Sequence, residues 1–75
     1  MKDIGHRIRL LRVERNLKQY ELAEMVARNG HSLTASYLCR IEQGQKGPTI
    51  KVAVAIAQAL GVSLDDIVST EPELA

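Results

Sequence analysis

The residues of this chain best suited to chemistry are those that hydrogen-bond to polyanions and to base edges. Ser36, Cys39, Arg40 and Gln43 recur at helical spacing within Ser36-Tyr37-Leu38-Cys39-Arg40-Ile41-Glu42-Gln43-Gly44, while Leu38 and Ile41 fall on another face. A helix with this pattern buries its two aliphatic residues and turns a polar row outward. Such a row suits the major groove of duplex DNA. An arginine fork takes both O6 and N7 of guanine, and a serine hydroxyl can donate or accept. Upstream, Gln19-Tyr20-Glu21-Leu22-Ala23 reads as a second short helix with its own apolar stripe.

Other chemistries find little support. His6, His31 and Cys39 lack metal-ligand spacing. Cys39 lies on the outward row, where oxidation would obstruct a groove, but a lone thiol on a helix is more often a small filler. There is no nucleophile elbow, no phosphate loop and no pair of carboxylates in a plausible cleft. Asp65-Asp66 is better explained as helix-start charge. Neither an enzyme nor a cofactor is expected.

At 75 residues the chain allows one domain with a small core and no room for a separate ligand-sensing unit. Only 3% of residues are aromatic against 45% apolar overall, so the core must be aliphatic. The longest mostly apolar run, Val52 to Leu60, is too short to span a bilayer and contains Gln58. No signal-sequence pattern is present, and one cysteine cannot staple the chain internally, which points to the cytoplasm. The formal net charge is only +1. Residues 1–47 carry nine bases and five acids, however, and residues 48–75 one base and four acids, for +4 and −3. That polarity suits one face turned toward phosphates, although scattered solvated charge would look similar.

The elements that must position the polar row follow from periodicity and punctuation. Ile4, Ile8 and Leu11 define a helix from about Ile4 to Arg15, with Asp3 placed to cap it and Asn16 to end it. Helix two runs from about Gln19 to Arg28, with Leu22, Ala23 and Val26 inward, and stops at Asn29-Gly30. Thr34 caps helix three, about Ala35 to Gln43, which Gly44 ends. Thr49 caps helix four, Ile50 to Leu60, and Gly61 closes it. Ser63 and Asp66 form a capping-box-like start to a short helix five. The acidic residues from Ser69 onward, with Pro72, read as a frayed tail. The expected fold is all-α: a compact five-helix domain over residues 1–68 and a flexible tail over 69–75.

These residues, in this order, resemble the lambda-repressor-like (Cro/C1-type, XRE family) helix-turn-helix domains of bacterial and phage regulators. The carriers are Ile8-Arg9-Leu10-Leu11-Arg12, Leu17-Lys18-Gln19, Glu21-Leu22-Ala23, Ser36-Tyr37-Leu38, Arg40-Ile41-Glu42-Gln43-Gly44, Pro48-Thr49-Ile50 and Ile56-Ala57-Gln58-Ala59-Leu60-Gly61-Val62-Ser63. No piece is specific alone; their order and spacing are. The resemblance implies sequence-specific binding of double-stranded DNA and transcriptional regulation, chiefly as a repressor or autoregulator. The motif would span about 19–43, with the helix at 35–43 in the major groove. Two features depart from the pattern. Ala23 and Leu38 stand fifteen positions apart, so about five residues have been added around Arg28 to Ser32, at small cost in closure entropy. Lys18 stands where a Ser or Thr cap is common.

By family position, Ala35, Ser36 and Arg40 would touch bases, with a phosphate as the other partner open to Arg40. Lys18, Gln19, Gln43, Gln45 and Lys46 would contact phosphate or sugar, and the backbone amides of Gly44 and Gln45 could do the same. Tyr37 is expected to be half-buried packing. Arg12 and Glu42 would meet beneath the surface as a structural ion pair. Ile50, Ala53, Ile56, Ala57 and Leu60 form the core face of helix four. Val52, Ala55 and Ala59, next to Val62 and Val68, form a second apolar face and are candidates for a homodimer interface on a palindromic operator. The competing reading is a protein-interaction module, such as an antitoxin or regulatory partner, with weak or lost DNA binding. RNA ranks lower, because only Tyr20 and Tyr37 could stack on bases.

Overall fold

A computed structural model describes residues 4–68, the last of these in backbone only. Among them are five helices and no strand: α1 (Ile4–Glu14), α2 (Gln19–Arg28), α3 (Ala35–Glu42), α4 (Ile50–Leu60) and α5 (Leu64–Val68). The expected bounds of α2 and α4 coincide with the observed ones, and α1 and α3 each end one residue early. The Asp3 cap and the tail from Ser69 lie outside the described residues.

Local chemistry sets the helix ends. The Thr34 hydroxyl accepts from the Tyr37 amide at 3.1 Å and the Thr49 hydroxyl from that of Val52 at 3.2 Å, so each satisfies one otherwise orphaned donor. Before α5, the Ser63 amide donates to Asp66 Oδ2 at 3.1 Å and the Asp66 amide to Ser63 Oγ at 3.3 Å, which closes the box. Lys18 has no side-chain acceptor, so only the reciprocal half forms before α2: its amide donates to Glu21 Oε1 at 2.7 Å. At the other end of α2, Gly30 takes a left-handed φ of 92°, and the amides of Gly30 and His31 return to the carbonyls of Ala27 and Val26. Asn16, with φ 57°, reverses the chain after α1 in the same way, and the Leu17 amide returns to the Arg12 carbonyl.

The core is aliphatic. Ile8 of α1, Leu22 and Val26 of α2, Leu38 and Ile41 of α3, Ile56 of α4 and Ile67 of α5 are all but fully buried. Leu33 joins them from the enlarged turn, so the extra residues are anchored by an aliphatic plug rather than looping free. Gly5 is buried where α1 crosses α3. A Cβ there would overlap the Ile41 carbonyl oxygen and sit 2.9 Å from the carbonyl carbon, so the two backbones touch.

Helix α4 departs from expectation at two positions. Ala55, placed on an exposed second face by the sequence reading, is 0% exposed, and Val52, Ala59 and Val62 are half-buried against the core of the same chain. The reason is coverage: α1, α2 and α5 all pack on α4 and enclose more than one face of it. Ala55 is therefore withdrawn as an interface residue. Ile50, expected in the core, is 77% exposed, because as the first residue of α4 it projects beyond the packed stretch that starts at Ala53. The side chain of Val68 lies outside the described residues.

Candidate nucleic-acid interface

Arg12 and Glu42, thirty residues apart in sequence, meet at the junction of α1 and α3. Arg12 Nε donates to Glu42 Oε2 at 2.7 Å and Arg12 Nη2 to Oε1 at 2.9 Å, a fork-to-fork pair. Arg12 Nη1 donates to the Leu17 carbonyl at 2.7 Å, between α1 and α2. Gln19, in the first turn of α2, donates from Nε2 to Glu42 Oε1 at 3.1 Å. The two charged side chains are 11% and 3% exposed, and among the described residues no buried side-chain nitrogen or oxygen lacks a partner. A pair this buried adds little net stability, but it fixes geometry. Here it locks the start of α2 to the end of α3.

The outward row of α3 stands on that platform. Ser36 and Arg40, four residues apart, are exposed, with Gln43 at the end of the same stripe. Ala35 and Cys39 are half-buried on its flank, and Tyr37 is half-buried against the core. Gln43 Nε2 donates to Cys39 Sγ at 3.4 Å, and Gln45 Nε2 donates to Gln43 Oε1 at 3.0 Å, so these side chains are pre-ordered along the helix end. Lys18 and Lys46 are exposed at the two edges. Gln19 is half-buried; one N–H of its amide goes to Glu42, and the second remains for an outside acceptor.

The amides of Gly44 and Gln45 do not face outward: they donate to the carbonyls of Ile41 (3.1 Å) and Arg40 (2.9 Å). Gly44, at φ 81°, turns the chain back over the last turn of α3 and uses both amides to close it. Two arginines of the N-terminal half, both exposed, are also tied to backbone carbonyls. Arg15 Nε donates to the Leu60 carbonyl at 2.7 Å and Arg7 Nε to the Asp66 carbonyl at 2.8 Å, which leaves fewer arginines for an external anion.

Sequence reasoning overlooked Gly5 and Leu33. Gly5 sits inside a helical stretch where only the crossing with α3 explains it, and Leu33 lies just after the Arg28 to Ser32 segment read as added residues. Among the described residues no group of His, Cys, Asp and Glu could hold a metal ion, and no helix is long and apolar enough to cross a membrane.

The helix-turn-helix family pattern matches residues 8–67, which covers this whole arrangement. The chain belongs to the helix-turn-helix family. Among curated relatives, this helix-turn-helix chain is 38% identical over 68 residues to the immunity repressor protein of Bacillus phage phi105, with 91% of the chain and 44% of that protein aligned. It thus spans less than half of the phage protein. It is also 38% identical over 72 residues to y4dJ of Sinorhizobium fredii, named as an HTH-type transcriptional regulator, with 96% of the chain and 87% of that protein aligned. No solved structure matches the chain.

Proposed function

We propose that this helix-turn-helix domain binds double-stranded DNA in a sequence-specific way and regulates transcription, as a repressor or autoregulator acting in the cytoplasm. The observation that carries the reading is the exposed Ser36–Arg40 row of α3, held rigid from below by the Arg12–Glu42–Gln19 node. In this reading α3 lies in the major groove, where Arg40 and Ser36 meet base edges and Ala35 offers at most a methyl contact to thymine. Lys18, Gln19, Gln43, Gln45 and Lys46 fix the register on phosphate and sugar. The names of the phage and rhizobial relatives, a repressor and a transcriptional regulator, support the same assignment. The chain works as a C2 pair on a palindromic operator, with one copy on each half-site.

The test is a selection of bound genomic fragments, repeated with Arg40→Ala at two salt concentrations. An inverted repeat recovered by the wild type and lost by the variant is the expected result. Binding that is uniform across sequences, or that vanishes at physiological salt, would favour a protein-interaction module, and co-purification with one protein partner would then identify it.

A further inference from the structure

We propose that an open cleft beside the recognition helix seats one phosphate of the DNA backbone, and that Arg9 and His6 of α1 are its principal donors. The proposal rests on the DNA-binding reading above. The cleft has a volume of about 430 Å³ and is lined by His6, Arg9, Arg12, Gln19, Glu42 and Gln43. It therefore joins α1, the first turn of α2 and the end of α3.

The charges in the cleft have unequal access to an incoming anion. Arg12 and Glu42 form its floor and neutralise each other. Both Glu42 oxygens are occupied, by Arg12 and Gln19, and its side chain is 3% exposed, so its charge faces inward. What remains at the mouth is the Arg9 guanidinium and the His6 imidazole, both exposed, beside the amides of Gln19 and Gln43. The other arginines of this region are committed elsewhere: Arg7 to the Asp66 carbonyl, Arg12 to Glu42 and Arg15 to the Leu60 carbonyl. Arg9 makes no hydrogen bond or ion pair to another described residue. Its planar fork matches two phosphate oxygens.

The fold explains why residues this far upstream of the motif reach it. His6, Arg9 and Arg12 recur every three residues, so they share one side of α1. Gly5 lets that helix settle backbone-to-backbone on the Ile41 carbonyl, which brings the stripe level with Gln43. A side chain at position 5 would lift α1 and open the cleft.

The experiment measures affinity across a salt series for wild type, Arg9→Ala and His6→Ala, using the duplex recovered in the selection above and a scrambled duplex of equal composition. A phosphate contact predicts that Arg9→Ala weakens both duplexes alike, keeps their affinity ratio, and lowers the slope of log affinity against log salt by about one. His6→Ala should act in the same direction. In the wild-type protein, the His6 ring NMR signals should move on adding either duplex. An unchanged slope together with unmoved ring signals would overturn the seat while leaving sequence-specific binding intact. A changed affinity ratio would overturn it too, by making Arg9 a base reader. A wild type that binds neither duplex would end both the seat and the reading beneath it.

Discussion

Glu42 accepts three hydrogen bonds from two residues of different helices, so removing its partner and removing both charges are very different changes. Arg12→Ala strands a buried carboxylate and should cost about 3–5 kcal/mol, read as a lower melting temperature or urea midpoint. The double change Arg12→Met with Glu42→Leu removes both charges and keeps the volume, and should restore most of that loss. A single variant that melts like wild type would show that the pair is dispensable. Arg40 is the contrasting case, because it is exposed and supports nothing beneath it. Arg40→Ala should leave the melt unchanged and remove about 1–3 kcal/mol of discrimination at one base position, measured as the affinity ratio between operator and point-mutated duplexes. Loss of affinity that is equal for all duplexes would make it a phosphate contact instead.

At the level of elements, Gly5 and Leu33 each hold α3 in place, and each yields a sharp expectation. Replacing a glycine inside a helix with alanine ordinarily gains about 0.5–1 kcal/mol through backbone entropy. At Gly5 the new methyl meets the backbone of Ile41, which cannot rotate away, and overpacking costs about 1–3 kcal/mol. The larger effect decides the sign: Gly5→Ala should destabilise, and a variant that melts higher than wild type would refute the close crossing. Leu33→Ala removes the buried plug of the enlarged turn and should cost about 2–5 kcal/mol in a denaturant titration. The contrast shows what a sequence can carry. Thr34, Thr49, Gly30 and Gly61 act on amides and carbonyls only a few residues away, so the helix ends were legible from short-range pattern. Gly5 acts on α3, and Leu33 on a core it reaches across a turn. Neither has a short-range signature. Ala55 and Ile50 were misplaced for a related reason: apolar spacing marks which faces could be buried, but the coverage of α4 by α1, α2 and α5 decides which faces are.

For the whole molecule, the same coverage bears on how two copies would meet. The α4 surface that the sequence offered for pairing has lost Ala55 to the core, and Val52, Ala59 and Val62 are half spent on it. Among the described residues, the large hydrophobic side chains that stay exposed are Leu10 and Val13 on α1, Tyr20 on α2 and Ile50 on α4. Apolar residues spread over three helices are ordinary surface and do not resemble the contiguous patch a tight homodimer needs. The free chain should therefore sediment as a monomer at micromolar concentration and pair only when DNA brings two copies together. Such pairing depends on helical phase, because two copies touch only when their half-sites face the same side of the duplex, about 34–36 Å apart. Inserting about 5 base pairs between the half-sites turns one copy to the opposite side and should abolish cooperative binding, whereas about 10 should restore the facing while weakening the contact. The measurement is a binding isotherm on each spacer variant, beside sedimentation of the free protein. A dimer that persists without DNA would overturn this expectation. Binding that shows no cooperativity at any spacing would mean that the two copies never touch, and that the half-sites are read independently.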